Sequence, residues 1–242
     1  STMMLGTALL AAMPTFAAIG IWAPIAIFAA RALQGFSAGG EFGAATALLV
    51  EHSSARRGFM GSWQFTSQSL STVLASLFGI VLTEQLTMEQ LESWGWRIPF
   101  LFGLLIGPVG LYIRRHVHEA HFEVRHEATP FRDVLRSQKL SVIVSIGLLV
   151  ASTSVTYGLI FLPTYAARTL DLADSTGFYA TLLAGCLLVV ATPVAGYWCD
   201  RVGRLRMMTV AGLLLLVAAP TAFFALAAAP TTTGLLAIAA LL

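Results

Sequence analysis

The stretch that decides the fold runs from Arg31 to Val50, RALQGFSAGGEFGAATALLV. It is largely apolar, yet it carries Arg31 and Glu41 and places Gly35, Gly39 and Gly43 at steps of four. On a helix at about 100° per residue, Gln34 and Glu41 lie within about 20° of each other, and Arg31 within about 80° of both. The glycines form a smooth ridge beside this polar strip, and small residues at every fourth position let another helix approach closely. A soluble protein would put such charges on a wet surface. What surrounds the stretch decides where they go here.

Of the 242 residues, 57% are hydrophobic and 11% charged, with a mean hydropathy of +0.80. Ordinary globular domains carry about a quarter charged residues. Charge-free runs approach the roughly 20 apolar residues that cross a hydrocarbon core about 30 Å thick. Backbone polar groups find no water there, so spanning segments must be helices or a closed barrel. The period-two alternation of a barrel is absent. The expected fold class is therefore all-α, a polytopic membrane helical bundle. A central Arg or Glu facing lipid costs at least about 2.5 kcal/mol, so the Arg31–Glu41 strip is expected to face a protein interior or a wet cavity. The alternative is that both charges only satisfy polar groups on neighbouring helices and fix the bundle.

Working outward, the first apolar run, Met3 to Ala12, is too short to span and stops at Met13-Pro14, and the last, Leu235 to Leu242, breaks off within an apolar run. The chain thus reads as a fragment truncated at both ends, and Ser1 to Leu10 lacks the basic start of a signal peptide. Six complete spans are expected between them: Pro24–Val50, Phe59–Leu82, Phe100–Ile113, Leu140–Thr164, Phe178–Trp198 and Met208–Leu226, with Pro108 as a kink point in the third. Eleven basic residues fall in one alternating set of loops (Arg56, Arg57, Arg114, Arg115, Arg125, Arg132, Arg136, Lys139, Arg201, Arg204 and Arg206), against Arg97 and Arg168 in the other. By the positive-inside rule the basic side is cytoplasmic. The polar segment Arg114 to Lys139 lies on that side and divides the chain into a first bundle part (1–115), a linker (116–138) and a second bundle part (139–242). Its His, Glu and Arg pattern suggests a solvated or amphipathic helix with Phe122 and Val124 at the bilayer surface.

Several polar residues fall on single helix faces. Gln64, Gln68, Ser71 and Ala75 follow one face of their span, and so do Ser141, Ser145, Ser152 and Thr156, with Tyr157 beside them. Amides and hydroxyls there can bind carboxylates or hydroxyls, or can simply act as interhelical glue worth about 0.6 kcal/mol per contact. GYWCDRVGRLRM, Gly196 to Met207, ends a span on the basic side. Asp200 there can accept from the N-terminus of a neighbouring helix, whose dipole favours an anion, while Arg201 and Arg204 pair with carboxylates or lipid phosphates. Gly203 permits a turn conformation closed to bulkier residues. Such a contact between bundles can be made and broken, as a gate requires. Cys186 and Cys199 are 13 residues apart, about 20 Å along a helix, too far for a disulfide. His116, His118, His121 and His126 lack a metal-site spacing, so no metal site is expected. No nucleotide-binding glycine loop occurs, so no cofactor is expected and energy should come from an ion gradient.

Gly196-x3-Asp200-Arg201-x-Gly203-Arg204 resembles the cytoplasmic loop motif of the major facilitator superfamily, in its second-half copy between the eighth and ninth helices. Leu205 stands where a basic residue commonly extends that motif. Arg31-x2-Gln34-Gly35 resembles the superfamily's fourth-helix motif. RALQGFSAGGEFG, EHSSARRGFMGSWQ and WGWRIPF resemble the metabolite:proton symporter family within it, over nearly the whole chain and ordered from a partial third to a partial tenth helix. The resemblance implies a major facilitator bundle and proton-coupled symport by alternating access. The substrate class it implies is a small organic acid, a di- or tricarboxylate such as citrate, with proline or betaine osmolytes as the alternative. Arg31, Gln34, Glu41, Gln64, Gln68 and Tyr157 are then the expected substrate and proton-coupling residues. Asp200, Arg201, Gly203, Arg204, Glu51 and Arg57 form the cytoplasmic gate, and Gly35, Gly39 and Gly43 the packing ridge. The implied setting is multi-pass in a bacterial inner membrane, as a monomer. Its partners are substrate, protons and lipid, and no nucleic acid. An enzyme would need a clustered nucleophile, base or metal set, which the sequence lacks. A structural or channel protein is the remaining competitor.

Overall fold

The computed structural model describes residues 2–51, 55–116, 138–169, 174–228 and 234. The expected linker beyond His116, with His118, His121, Phe122, Val124 and His126, lies outside the described residues. So does the final run Leu235 to Leu242. Nine α-helices follow in order among the described residues: α1 (Thr2–Ala11), α2 (Phe16–Ile19), α3 (Trp22–Glu51), α4 (Arg57–Gln85), α5 (Met88–Ser93), α6 (Ile98–His116), α7 (Lys139–Thr169), α8 (Asp174–Val202) and α9 (Arg204–Ala228). A 3-10 turn, Gly95–Arg97, leads into α6. No strand occurs among these residues. The protein is an all-α bundle, and α3, α4, α6, α7, α8 and α9 cover the six expected spans. Three segments, Arg57–Gln85, Lys139–Gly158 and Ser175–Val202, are long and apolar enough to cross a membrane by length and composition. The third span is longer than its apolar run suggested. α6 has 19 residues and continues through Pro108, reaching about 28 Å at 1.5 Å per residue.

Short hydrogen-bonded devices connect the long rods. Thr87 and Gln90 form a capping box that starts α5, each side chain meeting the other's backbone N–H, so two orphan amides are satisfied together. Arg97 then donates to the Met13 carbonyl at 2.7 Å and lies 4.4 Å from the Trp96 ring centroid. It ties the start of α6 to the chain leaving α1.

α1 packs against α3 and α6, α4 lies most extensively against α8, and α7 and α9 both contact α8. Most of the buried side chains among the described residues are small, with Leu10, Met13, Ile80 and Leu82 the larger ones. α4 contributes Ser62, Thr66, Ser69 and Ser76, and α8 contributes Ala180, Thr181 and Ala184. Large apolar groups turn outward instead, with Phe36 at 83% and Phe224 at 77% exposure. In water such a surface would be a sticky patch. In lipid no hydrophobic force draws helices together, so close van der Waals contact between small residues does it. The serines and threonines stay compatible with an apolar setting by donating to carbonyls one turn back, as Thr66 does to Ser62 at 3.0 Å and Ser76 to Thr72 at 2.9 Å.

The glycine ridge of α3 is open among the described residues. A Cβ at Gly35, Gly39 or Gly43 would meet nothing within 4 Å among the described residues. The close approaches lie elsewhere: a Cβ on Gly6 of α1 would sit 2.6 Å from Gln34 Cγ, one on Gly185 2.9 Å from Val73 Cγ2, and one on Gly196 2.7 Å from the Gly58 carbonyl. Steps of four make a smooth flank, but which flank another helix covers is set by the tertiary arrangement.

Candidate functional site

A cavity of about 360 Å³ opens at mid-length between α4, α7 and α8. Its polar lining comes from Gln68, Ser69 and Thr72 of α4, Ser152 and Thr156 of α7, and Thr181 and Thr192 of α8. Phe65, Ile160 and Leu188 supply apolar surface. Each helix offers a strip at helical spacing: Ser152, Thr156 and Ile160 step by four, and Thr181, Gly185, Leu188 and Thr192 follow i, i+4, i+7, i+11. On α4 the lining falls on the flank of the buried seam, so the cavity begins where α8 leaves α4 and α7 closes the gap. Gly185 keeps the α4–α8 contact tight along one edge. Among the described residues, no Asp, Glu, Lys, Arg or His lines this space.

The expected binding residues divide between two places. Gln68, Ser152 and Thr156 line the cavity. Gln64 is half-buried one turn away, and Ser71, Ser141, Ser145 and Tyr157 are exposed; none of these is in the lining. Arg31 and Gln34 belong to a different contact. Arg31 Nη1 donates to Gln34 Oε1 at 3.3 Å and its guanidinium lies 5.7 Å from the Phe100 ring centroid. Gln34 Nε2 in turn donates to Thr7 Oγ1 at 2.9 Å, and Thr2 Oγ1 donates to Ser37 Oγ at 2.8 Å a little farther along. The Arg31–Gln34 pair thus joins α3 to α1 and α6. Glu41 is an exposed residue of α3 and, like Arg31, stands apart from the cavity. A single crevice holding Arg31, Glu41, Gln64 and Gln68 together is therefore not what these helices build. Ser69, Thr72, Thr181 and Thr192 join the lining without having stood out in the sequence, although Thr181 and Thr192 share one face of α8.

At the arginine-rich end, the Asp200 carboxylate accepts from two backbone amides at the start of α4, Gly58 N at 2.7 Å and Phe59 N at 2.9 Å. First-turn amides have no intrahelical partner, and the helix dipole favours an anion there. The residue before α4, Arg56, makes no side-chain cap, so a carboxylate 142 positions along the chain performs that task. Glycine at 58 is required for this fit, since a Cβ there would lie 2.7 Å from Asp200 Oδ1. Arg201 stacks on Tyr197, 4.4 Å from the ring centroid. Gly203 closes α8 with φ of 101° and its N–H on the Cys199 carbonyl at 3.1 Å, a left-handed residue of the kind that ends helices. Arg204 opens α9, Arg57 opens α4, Glu51 ends α3, and all three are exposed. At the opposite end of the same helix pair, Tyr179 Oη donates to Glu84 Oε1 at 2.8 Å. α4 and α8 are thus pinned at both ends, with the cavity beside the middle.

Among the described residues no group of three or more His, Cys, Asp or Glu is placed to hold a metal ion. Cys186 is exposed, Cys199 is half-buried, and both are free thiols.

Comparison with known proteins agrees with this architecture. The chain matches the Major Facilitator Superfamily profile over residues 1–242. It is 35% identical to a citrate-proton symporter of Klebsiella pneumoniae over 98% of the chain and 55% of that protein. It is 34% identical to the citrate-proton symporter of Salmonella typhi over 94% of the chain and 54% of that protein. A glycine betaine/proline/ectoine/pipecolic acid transporter of Dickeya dadantii is 30% identical, over 91% of the chain and 48% of its own length. The chain therefore spans about half the length of the curated relatives it matches. No solved structure is significantly similar to it.

Proposed function

Because the chain belongs to the Major Facilitator Superfamily, we propose that its protein is a secondary active transporter that carries a small organic acid together with protons by alternating access. A di- or tricarboxylate such as citrate is the substrate class. The observation that carries this reading is the polar cavity at mid-length, walled by α4 of the first bundle part and by α7 and α8 of the second. Superfamily carriers bind near the bilayer midplane between two repeats that rock about the site. The similarity to two citrate-proton symporters supplies the substrate class.

In this reading Gln68 and the hydroxyls around it contact substrate. Arg31 and Glu41, ionisable groups placed well inside α3, answer to a substrate carboxylate and to the coupled proton. Gln34 orients Arg31 through their hydrogen bond, while Gln64 and Tyr157 enter the path as the bundles move. The Asp200 clasp, with Arg201, Gly203, Arg204, Glu51 and Arg57 around it, is the gate on the arginine-rich, cytoplasmic side. The protein works as a monomer in the bacterial inner membrane, with segment 116–138 cytoplasmic, and is not an enzyme. It needs no cofactor beyond the proton gradient, and its partners are substrate, protons and lipid, without nucleic acid.

A second reading, an osmolyte symporter for proline or betaine, is favoured by the uncharged cavity wall and by the Dickeya relative. Counterflow in proteoliposomes with the full-length protein separates the two. Saturable citrate uptake, accelerated by an inward proton gradient and lost in both Arg31→Ala and Glu41→Gln, is the expected result. Uptake of betaine alone would move the assignment to the second reading, and normal coupled uptake in both variants would remove these residues from the mechanism.

A further inference from the structure

The cavity wall has a chemical polarity that its residue types alone do not show. Ser69 donates its hydroxyl hydrogen to the Phe65 carbonyl at 3.0 Å, Thr72 to the Gln68 carbonyl at 3.3 Å, and Thr156 to the Ser152 carbonyl at 3.0 Å. Thr181 likewise donates to the Gly177 carbonyl at 2.9 Å. A hydroxyl has one hydrogen and two lone pairs. Once the hydrogen is committed along the helix, Ser69, Thr72 and Thr156 offer the cavity oxygen lone pairs. These oxygens come from both bundle parts, α4 on one side and α7 on the other. Gln68, whose amide both donates and accepts, stands beside these three accepting oxygens in an uncharged lining.

Resting on the transporter reading above, we propose that this wall is the subsite for the hydrogen-bond-donating part of the substrate: a hydroxyl, a protonated carboxyl or an N–H. A carboxylate laid against Ser69, Thr72 and Thr156 would meet oxygen lone pairs without a hydrogen between them. To bond it, those hydroxyls would have to give up their carbonyl bonds one turn back, so the number of hydrogen bonds would not rise. A donor group fits without any such rearrangement. The wall therefore selects among substrates of one charge by whether they carry a donor beside their carboxylates, which a charged site alone would not do. Sites built to bond a substrate hydroxyl reject analogues that lack it far more strongly than apolar pockets reject a missing methylene.

The test is competition for uptake by the full-length protein in proteoliposomes, with probe pairs of like charge of which one member lacks the donor. Citrate is set against tricarballylate, which keeps three carboxylates and lacks the hydroxyl, and L-proline against N,N-dimethylproline, which lacks the N–H. The donor-bearing member should compete at a concentration at least about tenfold lower than its partner. Thr72→Val together with Thr156→Val should bring the pair to within about threefold by weakening the donor-bearing member alone. Thr72→Ser and Thr156→Ser, which keep the hydroxyl, should preserve the preference and control for folding. Equal competition by both members in the unmodified protein, or a preference that survives the valine pair, overturns the proposal. A preference seen only with the proline pair keeps the wall and removes the carboxylate assignment. If no member of either pair competes, both fall.

Discussion

At the scale of single residues, the contact at the arginine-rich end shows how little side chain a membrane crossing tolerates. Gly58 and Gly196 bring two backbones together closely enough for Asp200 to reach two amides of another helix. The carboxylate has two oxygens to match two orphan N–H groups, and charge-assisted bonds of this kind are worth about 1.5–3 kcal/mol each when formed. Gly196→Ala would drive a Cβ to 2.7 Å from the Gly58 carbonyl and 2.8 Å from Ser62 Oγ. Both neighbours are constrained, so the helices must separate, and overpacking of this sort costs about 1–3 kcal/mol. Gly39→Ala on α3 meets nothing within 4 Å and should be neutral or stabilising by up to about 1 kcal/mol through helix propensity. Thermal unfolding of the two variants in detergent checks the contrast. An equal loss at Gly39 would show a further contact seated on that ridge.

At the scale of elements, α4 explains both what the sequence made legible and what it hid. Its existence and length were plain, because an apolar run of that size between polar ends has one stable form in lipid. Its faces were not. Gln64, Gln68, Ser71 and Ala75 repeat at 4, 7 and 11, while Ser62, Thr66 and Ser69 repeat at 4 and 7, on roughly the opposite side of the helix. Periodicity alone cannot choose between two polar stripes of equal spacing. The structure buries the serine stripe against α8 and lines the cavity from the flank between them, so Gln68 was found and Ser69 and Thr72 were not. Arg31 shows the same limit: its grouping with Gln34 was legible, but Phe100 beside Arg31 and Thr7 beside Gln34 come from other helices. The Asp200 contact was legible in kind because a helix-terminal carboxylate has few uses, although its partner helix was not. The Tyr179–Glu84 bond joins residues 95 apart and left no local pattern. It pins the end of the α4–α8 pair remote from Asp200, so Tyr179→Phe and Glu84→Gln should each lower stability and couple in a double-mutant cycle by about 0.5–1.5 kcal/mol. Additive losses in thermal unfolding would mean that the two side chains do not act together.

At the scale of the whole molecule, the helices share one set of ends. Asp200, Arg201, Arg204 and Arg206 lie at the α8–α9 turn, and Arg56 and Arg57 at the start of α4 that Asp200 clasps. The other end of the same pair carries Glu84, Tyr179 and, through α5, the segment with Trp94, Trp96 and Arg97. Aromatic residues mark both levels: Trp22 and Trp94 on one side, Tyr197 and Trp198 on the other, where ring bodies sit in the headgroup region and polar edges reach water. Basic residues are retained on the cytoplasmic side during insertion, so the turn at Gly203 should face the cytoplasm and α5 the opposite compartment. In a cysteine-free background of the full-length protein, Leu205→Cys tests the first and Glu92→Cys the second, since both positions are exposed and outside the cavity and the clasp. A membrane-impermeant maleimide added to intact inside-in cells with a permeable outer membrane should label Glu92→Cys directly and Leu205→Cys only after the inner membrane is opened. The reverse pattern would invert the orientation and place the Asp200 clasp on the outer side. Labelling of both from outside would contradict a bundle whose ends are parted by a bilayer, and with it the division of the α4–α8 pair into an inner clasp and an outer tie.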